Sequence, residues 1–218
     1  MTQRIALLHA TPVAMAPVHR AFEQRWPEAL LVNLLDDSLT TDRAKEKALS
    51  ASLCDRFVKF GHYAYASGAS AILVTCSAFG PAIELLAEQL PVPVLKPNEA
   101  MFAEALNAGK RIGMLATFAP AVVTMEAEFA DYARQQNSDA TLKTLVVEDA
   151  IDLLRRGNAH QHNQLVADRA PELADCDVIM LAHFSTSGAL TAVQEKVSTP
   201  VLTAPHAAVQ ALKQRISG

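Results

Sequence analysis

The chain repeats itself. Residues 71–95 (AILVTCSAFGPAIELLAEQLPVPVL) align without a gap on residues 178–202 (VIMLAHFSTSGALTAVQEKVSTPVL), a shift of 107 residues. Six positions are identical: Ile72/Ile179, Ala82/Ala189, Glu88/Glu195, Pro93/Pro200, Val94/Val201 and Leu95/Leu202. The same shift carries RIALLHA (4–10) onto RIGMLAT (111–117), matching Arg4/Arg111, Ile5/Ile112 and Leu8/Leu115. Two separated segments obeying one offset describe a duplicated unit. Each copy is long enough to bury a core of its own. The expected division is residues 1–97 plus 205–218 in one lobe and 98–204 in the other.

Within each copy, short apolar runs alternate with helical patterns. The first half supplies strand patterns at 4–9, 29–35, 71–75 and 92–95, the second at 111–116, 142–148, 178–182 and 200–203. Helical patterns cover 13–26, 42–68, 81–90, 98–109, 120–137, 159–174, 188–197 and 205–216. Pro81 and Pro120 suit first helical positions, Asp42 follows two threonines placed to cap 42–68, and Gly68 and Gly109 suit helix ends. Alternation of this kind predicts an α/β fold: two pseudo-symmetric lobes, each a four-stranded parallel sheet flanked by helices. The space between the two lobes is the expected ligand cleft. Half the residues are hydrophobic and 19% charged, an apolar excess that parallel strands buried on both faces explain.

Bulk properties exclude several partners. The net charge of −4, without a basic run, argues against nucleic acid and anionic membranes. There is neither a signal-peptide layout nor an apolar run long enough to span a bilayer. Three cysteines without a CxxC pair argue against a disulfide framework or a zinc site, so the expected setting is cytoplasmic, with no metal. A homodimer is the default symmetric assembly.

The repeat sets Cys76 opposite His183, each at the carboxyl end of a strand pattern, where α/β sheets bind ligands. Cys76 lies in VTCSAFGP, with a helix beginning near Pro81; free N–H groups and the helix dipole there favour an anion and lower a thiol pKa. The competing reading is a small buried hydrophobe at a strand end. His183 lies in LAHFSTSG and titrates near neutrality, suiting it to acid or base work. Its competing reading is a loop-bonding histidine. Ser185, Thr186 and Ser187 precede a helix and read first as caps, one of them doubling as a ligand contact.

An apolar strand, Cys-Ser/Thr, a short loop and a helix, repeated in two halves, resembles the aspartate/glutamate/hydantoin racemase superfamily over essentially the whole chain. LVTCSAFGPAIELL, IGMLAT and VIMLAHFS carry the likeness most clearly. The resemblance implies two four-stranded lobes facing a cleft and proton transfer at a substrate α-carbon, with neither pyridoxal phosphate nor metal. In that family one cysteine from each lobe flanks the substrate. Cys76 matches the first cysteine, Ser77 the hydroxyl residue beside it, and Thr117 the threonine that helps hold the substrate carboxylate. The second cysteine is His183 here. His9-Ala10-Thr11-Pro12 stands where many relatives carry an Asn- or Asp-based contact.

The expected function is therefore a cofactor-independent racemase or isomerase acting on a small carboxylate such as an amino acid. Cys76 and His183 form its acid/base pair; His9, Thr11, Ser77, Thr117, Ser185 and His206 contact substrate. Two alternatives stand beside it. One is a decarboxylase or cis–trans isomerase of a small dicarboxylate that relies on the single thiol; the other is a non-catalytic small-molecule-binding module. Several residues read more plainly. Glu99 and His206 are equivalent under the shift and sit just after the fourth strand of each half. Asp149 reads as a helix cap. His160 and His162, two apart on a helix, share no face and read as solvated. Cys54 and Cys176 read as core and loop residues.

Overall fold

In the computed structural model the chain is described over residues 2–217, without the side chains of 120, 121 and 217. It divides into two compact units, Met1–Pro97 with Ala208–Gly218, and Asn98–Ala207. The first unit contains β1 (Arg4–His9), α1 (Met15–Arg25), β2 (Leu30–Leu35), α2 (Ser38–Arg43), α3 (Ala51–Ala66), β3 (Ala71–Val74), α4 (Gly80–Gln89) and β4 (Val94–Leu95). The second contains α5 (Glu99–Ala108), β5 (Arg111–Ala116), α6 (Ala119–Gln135), β6 (Thr141–Val146), α7 (Ala150–Arg155), α8 (Ala159–Arg169), β7 (Val178–Leu181), α9 (His183–Thr186), α10 (Leu190–Gln194) and β8 (Val201–Thr203). The chain passes back to the first unit within α11 (Ala204–Ser217). The fold is α/β, with two four-stranded, all-parallel sheets ordered β2-β1-β3-β4 and β6-β5-β7-β8.

The 107-residue repeat is a repeat of strand register. Ile5 pairs Ala71 and Leu8 pairs Val74 in the first sheet; Ile112 pairs Val178 and Leu115 pairs Leu181 in the second. Ile72 pairs Val94, and Ile179 pairs Val201. The edge strand alone departs from that offset: Arg4 pairs Leu30, whereas Arg111 pairs Thr141. The extra length lies between β5 and β6, where α6 has 17 residues against 11 in α1.

Central strands are apolar on both faces because helices cover both. Ile5, Leu7, Ile72 and Leu73 are fully buried, as are Met114, Ile179, Met180 and Leu181. Each such side chain contributes about 2 kcal/mol relative to exposure. In the first unit Ala6, Leu8, Ile72 and Val74 pack with Phe57, Phe79, Ile83 and Leu86 of the covering segments. In the second, Leu115, Ile179 and Leu181 pack with Val166, Ala170, Leu173 and Val193.

Several local expectations are corrected. The 42–68 pattern is two helices, not one. Ser50 breaks it: its hydroxyl accepts from Leu53 N at 3.3 Å and donates to Glu46 at 2.7 Å, capping α3. The two threonines before Asp42 cap neither helix: they lie inside α2, where Thr40 donates to Ala10 O and Thr41 to Asp37 O, while Asp42 bonds Lys45 and Arg56. Asp149 stands at the start of α7 in a left-handed conformation (φ 62°) without a side-chain cap bond. Only His160 of the histidine pair is solvated; His162 is fully buried, because it lies one turn from buried Val166. Gly68 does end α3 with a left-handed φ of 87°. Gly109 ends α5 with extended backbone, and its requirement is closeness: a Cβ there would lie 2.4 Å from Asp177 Cβ.

The α3–α4 crossing rests on a similar approach. A Cβ on Gly61 would stand 2.1 Å from Leu86 Cδ2 and 2.9 Å from its Cγ, and Leu86 is fully buried. Gly61→Ala is expected to cost about 2 kcal/mol through overpacking. Denaturant unfolding checks this; an unchanged midpoint contradicts it.

Candidate active site

The two sheets deliver their central strands to equivalent ends. In the first unit, Thr75 N donates to Leu8 O at 3.0 Å, and Cys76 follows with extended backbone (φ −130°, ψ 125°). In the second, Ala182 N donates to Leu115 O at 2.9 Å, and His183 follows. Shifted by 107, these are the same bond, so Cys76 and His183 are equivalent in register and not merely in alignment.

Each loop is pinned three residues further on, again at equivalent positions. Phe79 is fully buried and stacks on Phe57 with ring centroids 4.8 Å apart. Its counterpart Thr186 is also fully buried, its hydroxyl 3.3 Å from that of Thr117. Between the pins of the first unit, Cys76, Ser77 and Ala78 are left half-buried. A short helical turn spans Ser77–Phe79 ahead of α4, and neither turn nor helix has a side-chain cap.

His183 is held at a cost. Its φ is +65°, a left-handed conformation uncommon outside glycine. Both ring nitrogens are buried without a hydrogen-bond partner. Burial pushes its pKa below the ordinary 6.5, with the Ala182 backbone only partly opposing this. At neutral pH the side chain is therefore an uncharged imidazole, able to accept a proton.

The other expected contacts fall into two groups. Ser77, Ser185 and Thr11 are half-buried near strand ends; Thr11 opens the turn Pro12–Ala14 without bonding it. His9, Thr117 and His206 are already engaged. His9 is fully buried, with Nδ1 2.9 Å from Thr75 Oγ1 and Nε2 3.0 Å from Asn33 Oδ1. Thr117 is 3% exposed and bonded to Thr186. His206 Nδ1 lies 2.7 Å from Thr203 Oγ1, at the end of β8. Sequence reasoning missed Thr75, Asn33 and His19, which join His9 in one network; the visible signal was an asparagine inside the apolar strand LLVNLL. Among the described residues no group of acidic, histidine and cysteine side chains is arranged to hold a metal ion. Nor, among them, is any helix long and apolar enough to cross a membrane.

Comparison with known proteins follows the same lines. The chain resembles aspartate racemase from Picrophilus torridus (12% identity, TM-score 0.74, 99% of this chain and 94% of that one). It also resembles allantoin racemase from Klebsiella pneumoniae (15%, 0.73, 99% and 88%) and glutamate racemase RacE1 from Bacillus anthracis (14%, 0.72, 99% and 82%). At such identities the likeness shows the fold. No curated protein sequence matches. The family model described as Asp/Glu/Hydantoin racemase matches residues 9–157, a span that contains Cys76 and Thr117 and stops short of His183. That match covers more than half of the chain, which belongs to the Asp/Glu/hydantoin racemase family.

Proposed function

We propose that this family member is a cofactor-independent racemase or epimerase acting at the α-carbon of a small carboxylate, an amino acid or a hydantoin-type derivative of one. Cys76 and His183 are its acid/base pair. The observation that carries this reading is their register equivalence: each sheet presents one proton-transferring side chain at the same strand end. The strained backbone and unpartnered nitrogens of His183 support it, because such costs persist where function requires them. Ser77 and the uncapped N–H groups behind it take the substrate carboxylate, with Thr11 and Ser185 as further hydroxyl contacts. On this reading the protein works in a reducing cytoplasm, a setting that family membership and three cysteines outside any disulfide support.

The protons balance as follows. Neutral His183 removes the α-proton and becomes imidazolium, leaving a carbanion stabilised as its enediolate by the donors around the carboxylate. The Cys76 thiol delivers its proton to the other face and becomes thiolate. The reverse direction begins from thiolate and imidazolium. Burial favours neutral His183, so the two directions begin from forms of unequal population. For a racemisation with an equilibrium constant of one, kcat/KM is the same for both enantiomers. The inequality shows in kcat and KM taken separately.

Three outcomes test this. Proton NMR in D2O against a panel of chiral amino acids, hydantoins and hydroxy acids should show loss of an α-proton signal that Cys76→Ala abolishes. Exchange seen only after loss of CO2 would instead favour a one-thiol decarboxylase. The acid limb of kcat/KM for that exchange should fall below pH 6.5, because burial depresses the His183 pKa and keeps the base neutral into mild acid. A limb at or above 6.5 contradicts a buried base. Finally, His183→Gly should abolish racemisation yet unfold at the same or higher denaturant concentration than the parent, since glycine relieves a left-handed residue costing about 1–3 kcal/mol. A clear loss of stability would show that His183 is held for packing.

A further inference from the structure

We propose that His9 is a positioning residue for Cys76: together with Asn33 and His19 it holds the Thr75 hydroxyl, and through Thr75 it sets where the next residue presents its thiol. The inference rests on reading Cys76 as the reacting thiol, but its test does not require catalysis.

Four side chains form one chain of hydrogen bonds across the first sheet. His19 Nε2 of α1 lies 2.8 Å from Asn33 Oδ1 of β2, and His9 Nε2 of β1 lies 3.0 Å from the same oxygen. An amide oxygen only accepts, so both histidines donate to it through Nε2–H. His9 Nδ1 is then an acceptor, and it faces Thr75 Oγ1 at 2.9 Å. The single Thr75 proton has a second acceptor, Leu8 O, at the longer distance of 3.2 Å. Thr75 N is already committed to that carbonyl at 3.0 Å. Thr75 is thus fixed by backbone and side chain together, one residue before Cys76. Its counterpart in the second unit, Ala182, has no hydroxyl to hold, and the counterpart of His9 is Ala116. The network is therefore peculiar to the half that carries the thiol.

The chemistry of the network suits a support rather than a ligand contact. His9 is fully buried and both its ring nitrogens are in use, which leaves nothing to offer a substrate. Burial also pushes its pKa down, and nearby His19 adds to this, so it stays in the neutral form that the bond pattern requires.

Alkylation of Cys76 by iodoacetamide near neutral pH, followed by peptide mass spectrometry, reads the thiol directly. His9→Gln keeps a donor toward Asn33 but loses the acceptor for Thr75; Thr75→Val removes the hydroxyl at constant shape. Both should slow Cys76 alkylation about five-fold, the effect of roughly one buried hydrogen bond. His9→Asn, which retains an oxygen near the Nδ1 position, and Thr75→Ser should stay near the parent rate. Parent-like alkylation in His9→Gln and Thr75→Val overturns the proposal, as does slowing in His9→Gln alone, which would mean that His9 acts without Thr75. Should both fail to fold, as judged by circular dichroism, the half-buried outer member supplies the test: His19→Ala should slow alkylation about two-fold by loosening the same hydrogen-bond chain, and no change refutes it. A failure of the racemase reading is separate, appearing as α-proton exchange that survives Cys76→Ala.

Discussion

Everything at the candidate site hangs on one hydrogen bond made twice. The bonds from Thr75 N to Leu8 O and from Ala182 N to Leu115 O are the last rungs between the central strands of each sheet. Beyond them the ladder stops, and the next residue is the first past the last rung. That residue is Cys76 in one unit and His183 in the other. The rungs are rigid because the strands behind them are buried on both faces, and a shift of register by one residue would turn every one of those side chains around. Precision at the thiol and the imidazole is thus inherited from the core.

The two ends differ in how they are supported. Cys76 follows a threonine tied into the His9–Asn33–His19 network, and its loop is anchored by the Phe79–Phe57 stack. His183 has no such support. It begins α9 with a positive φ, and its loop is tied by Ser187 Oγ donating to Phe184 O at 2.7 Å and by the Thr186–Thr117 pair. A duplicated fold has kept its backbone while each copy acquired its own polar chemistry. One end carries a thiol and the other an imidazole held neutral by burial. This makes the ends chemically unequal even though they are equivalent in register.

Strands were legible because burial on both faces leaves a plain mark, such as AILV or VIML, ended by a change to polar or titratable residues. The equivalence of Cys76 and His183 was legible for the same reason. Helix boundaries were not, where polar periodicity ran on through a break. Nothing in 44–50 looks unhelical until Ser50 is seen bonding both Glu46 and Leu53 N. The His160/His162 pair shows a subtler failure: the two were rightly placed on different faces, but one of those faces is the core. Network partners were hidden because His9, His19, Asn33 and Thr75 are far apart in sequence and meet only through pairing of β1 with β2 and β3. Asn33 inside an apolar strand was the one local sign.

The most direct test of the two-base claim follows deuterium through a single racemisation in D2O. Starting from one enantiomer, label should enter the product enantiomer while recovered substrate stays protonated at early times, because base and acid are different residues. Cys76→Ala and His183→Ala should each stop racemisation. Early label divided between substrate and product, or one variant racemising at the parent rate, would mean that a single group does both proton transfers and that the pair does not exist.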